Sequence, residues 1–179
     1  MTQTIATLLQ DKLKMTVREL THADEAALYT LQKANQSFYD LFLDHHLTKR
    51  EAVADLDETP LRSVEGAKHY LGIFDGDQLL ASVDLVVDYP LPQVTWIGQF
   101  MWLHGVVSNE QASEWATAVL QLLKSLEAVQ VQLMVLKKDS FNQQFWLPLG
   151  FEEVADTQAQ IHDKTLPVLI YQADLNKVV

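Results

Sequence analysis

The stretch that decides the fold runs from residue 95 to residue 151; it opens with TWIGQFMWLHGVV (95–107) and closes with FNQQFWLPLGF (141–151). Alternating side chains predict a strand over Thr95–Leu103. Ser108 can cap a following helix whose apolar stripe comprises Trp115, Val119, Leu122, Leu123 and Leu126. Val131–Leu136 has the composition of a buried strand, and Ser140–Leu147 of a short helix that ends near Gly150. The stretch is therefore predicted to run strand, helix, strand, helix.

The strand over Thr95–Leu103 is predicted to present two different faces, because successive side chains of a strand point in opposite directions. We place Trp96, Gly98, Phe100 and Trp102 on one face, and Ile97, Gln99, Met101 and Leu103 on the other.

Outside this stretch the sequence predicts helices and strands in a regular order. Thr21 and Asp24 form a helix-start signal. The Asp-Gly step at Asp75-Gly76-Asp77 separates two apolar runs and predicts a hairpin. The predicted strands are 15–20, 69–74, 78–87, 151–155 and 166–174, and the predicted helices are 21–34 and 48–58. Residues 1–14 are expected to be a helical extension or a tail, and residues 15–179 a single domain.

Composition limits the class of protein. A chain of 179 residues with 48% hydrophobic and 21% charged residues is long enough for one well-packed domain. No apolar run reaches 18 residues and the N-terminus lacks a secretory pattern, so we expect no membrane span and a cytoplasmic protein. The absence of cysteine excludes disulfides and thiolate chemistry.

The charge pattern limits the partners. A formal net charge of −11 argues against nucleic acid, whose phosphates require a basic surface. A polyanionic ligand would need a local positive patch, and Lys137-Lys138 is the adjacent lysine pair that could provide one. His45-His46 does not predict a metal site, because adjacent residues of a helix point in different directions. We therefore expect no metal.

Three segments together resemble the GNAT superfamily of N-acetyltransferases. The hairpin HYLGIFDGDQLLASVDLVVDYP (69–90) resembles its second and third strands, WIGQFMWL (96–103) its central strand, and FWLPLGF (145–151) its last helix and exit. The resemblance covers about residues 15–175 and implies an α+β (mixed α/β) acyl-CoA N-acyltransferase fold, with a mostly antiparallel twisted sheet flanked by helices. It also implies acetyl-CoA as co-substrate and an amine as acceptor.

The same resemblance implies a CoA site, part of which is degenerate. The family's glycine-rich pyrophosphate loop should fall within VVSNEQASE (106–114), yet no glycine occurs between Gly105 and Gly150. Glu110 and Glu114 place negative charge where a phosphate would lie, although acidic residues also suit the first turn of any helix. The cofactor-binding residues that the resemblance implies are Phe100, Met101, Trp102, Leu103, Ser108, Asn109, Gln111, Ala112, Asn142 and Trp146.

The catalytic groups of the GNAT family are only partly matched in this sequence. Trp146 stands where many members carry a tyrosine acid, and an indole N–H does not act as an acid near neutral pH. Asp84 on the predicted third strand, or Asp88 beyond it, could orient or deprotonate an amine, and His104 has a suitable pKa for a base. Tyr39 and Phe38 could line an acceptor pocket by analogy with the family.

Two functional hypotheses follow, and a third lies outside the family. The first is an acetyltransferase acting on a small-molecule amine or an N-terminal amine. The second is a non-catalytic GNAT-fold binding or regulatory protein that has lost productive CoA binding, which the missing glycines and Trp146 favour. The third is another mixed α/β binding domain. A homodimer is compatible with each.

Overall fold

A computed structural model describes residues 3–178, which form a seven-stranded sheet in the order β1-β2-β3-β4-β5-β7-β6. All neighbouring strands are antiparallel except β4 and β5, which are parallel. The strands are β1 Thr16–Glu19, β2 Lys68–Asp75, β3 Gln78–Val86, β4 Val94–Trp102, β5 Gln130–Leu136, β6 Glu152–Ile161 and β7 Lys164–Asp174. This mixed, mostly antiparallel sheet confirms the predicted fold class.

Helices cover both faces of the sheet and enclose two apolar cores. The helices are α1 Ile5–Leu13, α2 Glu25–Lys33, α3 Gln36–Tyr39, α4 Lys49–Ala54, α5 Asn109–Ser125, α6 Ser140–Trp146 and α7 Leu175–Val178. Apolar residues of α1, α5, α6 and α7 share one core, and those of α2, α3 and α4 share the other. The sheet is thus the middle layer of three.

Local signals in the sequence locate several element ends. Thr21 and Asp24 form a capping box, and Asp24 also accepts two hydrogen bonds from Arg18, at 2.8 and 2.7 Å. The predicted hairpin at Gly76 is present between β2 and β3. Within the predicted extension, Ile5–Leu13 form helix α1, in which Leu9 is fully buried. Met1, Thr2 and Val179, at the limits of the predicted extension and domain, lie outside the described residues.

A β-bulge in β4 corrects the predicted faces of this strand. Asp84 lies opposite Gln99, whereas the next residue of β3, Leu85, lies opposite Ile97, so Gly98 is the extra residue. Strict alternation fails at this point, and Ile97 joins the core that holds Phe100. The predicted faces of Trp96 and Ile97 were therefore wrong. The last strands are also longer than predicted, because β6 continues to Ile161.

Candidate active site

The two parallel strands separate part-way along their length, and a cavity opens between them. β4 pairs with β5 over Val94–Ile97, opposite Gln130–Leu133, and within the described residues the pairing ends there. Beyond this point the cavity, of about 850 Å³, extends between the strands and continues toward α3, α4 and the β6–β7 turn. The divergence leaves the backbone groups of the facing strand edges without ladder partners.

Aromatic rings form one wall of this cavity. The ring of Trp102 lies 4.7 Å from that of Phe145 and 5.8 Å from that of Phe141, between centroids. Phe100 stacks on Phe145 at 5.8 Å, with the ring planes 17° apart, and lies edge-on to Trp146 at 5.8 Å. Trp102 is only 2% exposed. Its side chain is consequently a structural wall, although its backbone is at the strand edge.

The predicted cofactor residues divide into two groups. Phe100, Met101, Trp102, Asn142 and Trp146 line the cavity. Leu103, Ser108, Asn109, Gln111 and Ala112 are not among its lining residues. At the start of α5, the Ser108 hydroxyl accepts the Gln111 amide at 3.1 Å and the Ser108 carbonyl accepts the Ala112 amide at 3.0 Å. Two of the amides expected to face a phosphate are therefore used within the helix.

The end of the cavity near α6 carries one lysine and a capped asparagine. Lys138 lines the cavity, whereas Lys137 pairs with Asp156 at the surface. Asp139, only 5% exposed, accepts the Asn142 amide at 3.1 Å and the Asn142 side-chain Nδ2 at 2.6 Å. Asp139 is the N-cap of α6, and it fixes the side chain of Asn142.

The two predicted catalytic residues lie in different cavities. His104 lines the large cavity, with its ring 5.1 Å from Trp102 and 5.6 Å from Phe141, and burial lowers its pKa. Asp84 lines a second cavity of about 370 Å³ and pairs with Lys68 at 3.1 Å. Burial raises the pKa of Asp84, and Lys68 opposes that shift. Asp88 is exposed and accepts the Gln93 amide at 2.7 Å, which closes the β3–β4 turn.

Asp55, which the sequence analysis did not select, lies where the two cavities meet. Glu58, Gly98 and Gln99 also line both of them. Burial raises the pKa of Asp55 to about 7, with further contributions from the negative charges of Glu58 and Asp84. A carboxyl with this pKa exchanges a proton near neutral pH, which suits general acid–base chemistry.

A ring of hydrogen bonds holds Asp55 in place. Gln32 Nε2 and Gln99 Nε2 donate to Asp55 Oδ2, at 3.1 and 3.4 Å. The Tyr70 hydroxyl donates to Gln99 Oε1 at 3.0 Å and accepts from Gln32 Nε2 at 3.4 Å, which closes the ring. The hydrogen bonds from Gln32 and Gln99 to Asp55 both use Oδ2. Oδ1 has no hydrogen-bond partner among residues 3–178 and is available to a ligand.

Comparison with solved structures identifies the architecture. A structure from Desulfovibrio desulfuricans assigned to the GNAT acetyltransferase family aligns with a TM-score of 0.67 and 12% identity, over 89% of this chain and 98% of that one. A chimeric spermidine N-acetyltransferase from Vibrio cholerae and hSSAT aligns with a TM-score of 0.67 and 16% identity, over 92% and 97%. The chain has the GNAT fold. A ribosomal-protein-S18-alanine N-acetyltransferase from Escherichia coli aligns at 0.62 and 10%, over 89% and 93%.

The GNAT fold of this chain is recognised from its structure. No protein-family model matches the sequence, and no curated protein matches it.

Within residues 3–178, no group of three or more His, Cys, Asp or Glu side chains is arranged to hold a metal ion. Across the same part of the chain, no helix is long and apolar enough to cross a membrane.

Two features explain why the sequence did not reveal Asp55. It lies in ADLDETP (54–60), where three acidic residues follow one another closely and none is distinguished by its neighbours in sequence. Its hydrogen-bond partners Gln32 and Gln99 are 23 and 44 residues away. One signal that could have pointed to this region is Gly98, since a glycine inside a predicted strand often marks a bulge. Gly98 forms the bulge beside which Asp84 and Gln99 lie.

Proposed function

We propose that the protein is an N-acetyltransferase that moves an acetyl group from acetyl-CoA to a primary amine, with Asp55 as the general base. The observation that carries the proposal is the position of Asp55, at the junction of two cavities and with a pKa of about 7. The acceptor class follows from the fold neighbours, which include a spermidine N-acetyltransferase and a ribosomal-protein-alanine N-acetyltransferase.

The diverging strands suit the acyl donor better than the start of α5 does. The edge of β4 that diverges from β5 lines the cavity at Phe100–Trp102, where it fits the amides of a pantetheine arm, and Asn142 and Lys138 flank the same cavity. Within this edge the Trp102 carbonyl already accepts Asn35 Nδ2, at 3.0 Å. Acetyl-CoA, when bound, supplies the thioester carbonyl. The start of α5, at Ser108, Asn109, Gln111 and Ala112, is the helix start at which the resemblance places the CoA phosphates. Its contribution is reduced, because the Gln111 amide already donates to the Ser108 hydroxyl.

The proposed role of Asp55 follows from its protonation and orientation. A primary amine is protonated at neutral pH and must lose a proton before its lone pair can attack a carbonyl. The ionised Asp55 accepts that proton at Oδ1, while Gln32 and Gln99 hold Oδ2. Asp84 acts indirectly, because its charge helps to raise the pKa of Asp55. His104, whose lowered pKa keeps it neutral, is the second candidate base in the large cavity.

Tyr39 is the proposed proton-bearing group on the acceptor side, since Trp146 carries only an indole N–H. Its side chain is 5% exposed and lines the large cavity, and its hydroxyl has no partner among residues 3–178. Burial, and then the charge of Asp55, raise its pKa above the ordinary value. The hydroxyl therefore stays protonated and can donate a hydrogen bond to the CoA sulfur. In the proposed reaction the amine nitrogen bonds to the acetyl carbon, the C–S bond breaks, and the second amine proton passes to the departing thiolate to give CoA thiol.

The non-catalytic alternative is favoured by a specific observation: the wall at Trp102 is tightly packed, and the start of α5 is capped internally and carries Glu110. On this alternative, the GNAT fold binds a ligand without acetyl transfer. Calorimetric titration with acetyl-CoA separates the two. Heat together with a higher melting temperature supports the enzyme, because a ligand that binds only the folded state must stabilise it. Neither effect at millimolar acetyl-CoA would support the alternative.

The test of the general base compares Asp55→Asn with Asp57→Asn. Asp57 is two residues away, but its carboxylate contacts His22. With a panel of primary amines and a thiol-reactive dye to detect CoA, kcat/KM should rise with pH through about 7, because Asp55 must be ionised. Asp55→Asn should lower kcat/KM by about 10²- to 10⁴-fold and remove this rise. Asp57→Asn should behave as wild type. An unchanged pH profile in Asp55→Asn would assign the base to another residue, His104 first.

A further inference from the structure

The acceptor side of the large cavity has an apolar wall built from two separate parts of the chain. On α3 and just beyond it, Phe38 lies 5.4 Å from Phe42, between ring centroids. Phe42 stacks on His162 of the β6–β7 turn at 5.4 Å, with the ring planes 20° apart. Lys164 pairs with Asp44 at 2.8 Å and joins the turn to the segment after α3. The wall is thus fixed from both sides.

The carboxylates beside this wall differ in how many of their oxygens already have hydrogen-bond partners. Glu51 accepts hydrogen bonds from the Thr48 amide, the Thr48 hydroxyl and His45, which lower its pKa to about 2. Glu51 therefore stays ionised, and both of its oxygens already accept hydrogen bonds from the protein. Asp55 has an open oxygen, and no hydrogen bond or ion pair engages the Glu58 side chain within residues 3–178. Asp55 and Glu58 are thus the carboxylates of this group that have oxygens open to a ligand, and the nearby Lys68 ammonium offsets part of their charge.

Tyr39 joins the apolar wall to these carboxylates. Its ring lies 5.2 Å from that of Phe38 and 5.8 Å from that of Phe42. Its hydroxyl is close enough to Asp55 for the carboxylate charge to raise its pKa. A buried hydroxyl without a partner is unfavourable. A ligand whose polar end reaches Asp55 would meet this hydroxyl, and its apolar body would follow the ring toward Phe42.

We infer that the acceptor is a hydrophobic primary monoamine, bound with its ammonium group at Asp55 and Glu58 and its apolar body between Phe38, Phe42 and His162. This inference rests on the proposed function, and it names the substrate class of the same site. One cationic end matches the localised free charge. A polyamine has no continuous apolar body to bury against Phe38 and Phe42, so it gains less from the aromatic wall.

The first experiment measures amine binding by calorimetry without an acyl donor, at pH 8, where Asp55 is ionised and the amines are still protonated. The probes are 2-phenylethylamine, ethylamine, 2-phenylethanol and spermidine. We expect 2-phenylethylamine to bind about 10- to 100-fold more tightly than ethylamine, which is the effect of burying one aromatic ring. It should also bind more tightly than 2-phenylethanol and spermidine. Tightest binding by spermidine, or equal binding by ethylamine, would overturn the inference.

The second experiment uses variants at the wall. His162 is exposed and Phe38 half-buried, so His162→Ala and Phe38→Ala should fold, which a thermal melt checks. Each should lower affinity for 2-phenylethylamine about tenfold and leave that for ethylamine unchanged. Leu147→Ala, at an exposed position that lines neither cavity, is the control and should leave both affinities unchanged. Equal losses for the two amines in the wall variants, or no loss for either, would contradict the proposed contact.

Titration of acetyl-CoA into the same samples distinguishes two kinds of failure. If 2-phenylethylamine binds as expected but acetyl-CoA does not, acetyl transfer is excluded and the amine site stands. If acetyl-CoA binds and spermidine is acetylated in preference to 2-phenylethylamine, the proposed function stands and the substrate class is wrong.

Discussion

At Gly98, the absence of a side chain makes room for charged groups in the middle of the sheet. A Cβ at this position would lie 2.9 Å from Asp84 Oδ2, so the Asp84 carboxylate packs directly on the strand backbone. The same residue is the bulge of β4 and lines both cavities. One glycine therefore brings Asp84 close to the site of Asp55, where its charge helps to raise the pKa of that carboxyl.

A substitution at Gly150 should be more destabilising than one at Gly66. Both have positive φ, +92° and +79°, which costs a residue with a side chain about 1–2 kcal/mol. A Cβ at Gly150 would also lie 2.2 Å from Val178 Cγ1, whereas one at Gly66 would meet nothing within 4 Å. We expect Gly150→Ala to lower the free energy of unfolding in urea by more than Gly66→Ala does. Equal losses would show that the contact with Val178 relaxes without cost.

Among the elements, helix α1 lies in the segment that the sequence predicted as a helical extension or a tail, and the structure packs it against the core. Ala6 and Leu9 are buried in the same core as residues of α5 and of the sheet. The Gln10 side chain also accepts the Val17 amide at 3.2 Å, which connects the helix to β1. The Thr4 hydroxyl caps the helix by accepting the Thr7 amide. The packing of α1 indicates that it contributes to the stability of the core.

Leu9→Ala tests this contribution. Leu9 is fully buried, and removing a buried leucine side chain costs about 2–5 kcal/mol, since it leaves a cavity as well as losing apolar contact. We expect a loss of this size in the free energy of unfolding, measured with urea. Lys12→Ala, on the exposed side of the same helix, is the control and should change it little. An equally small effect of Leu9→Ala would indicate that α1 is a dispensable extension.

For the whole molecule, the carboxyl groups whose pKa differs between the folded and unfolded states should set the pH of greatest stability. The folded state raises the pKa of Asp55 to about 7, so it binds that proton more tightly than the unfolded chain; the resulting stability is present below pH 4 and is lost as pH rises to 7. The folded state lowers the pKa of Glu51 to about 2 and that of Asp24 beside Arg18, so their contributions are lost as pH falls below 4.

We therefore expect the free energy of unfolding to be greatest between about pH 4 and pH 6. Urea unfolding over pH 2–9 measures it. Asp55→Asn should flatten the decline on the alkaline side, and Glu51→Gln the decline on the acidic side. A decline on the alkaline side that Asp55→Asn leaves intact would assign it to other groups, including the general repulsion expected of a chain with net charge −11.

Features that depend on residues close in sequence were predicted correctly, and features that depend on a distant partner strand were not. The Asp75-Gly76-Asp77 hairpin and the Thr21 cap depend on neighbouring residues, and they were located correctly. The faces of Trp96 and Ile97 were predicted wrongly, because a bulge depends on how the partner strand is aligned. The roles predicted for Asp84 and His104 stay predictions, and the structure places them in separate cavities.

The sequence by itself determined the order of the strands and of the longer helices, and the tertiary structure decided where the chemistry lies. Apolar periodicity and turn residues act over a few positions, so most helices and strands follow from them directly. The likeness of their order to the GNAT fold came from the resemblance of three segments. The pKa of Asp55 has a different origin. It depends on burial at the junction of two cavities and on the nearby charges of Glu58 and Asp84, the latter 29 positions further along the chain. Such proximity arises only when β3, β4 and α4 pack together, because desolvation and Coulomb interactions depend on distance in space.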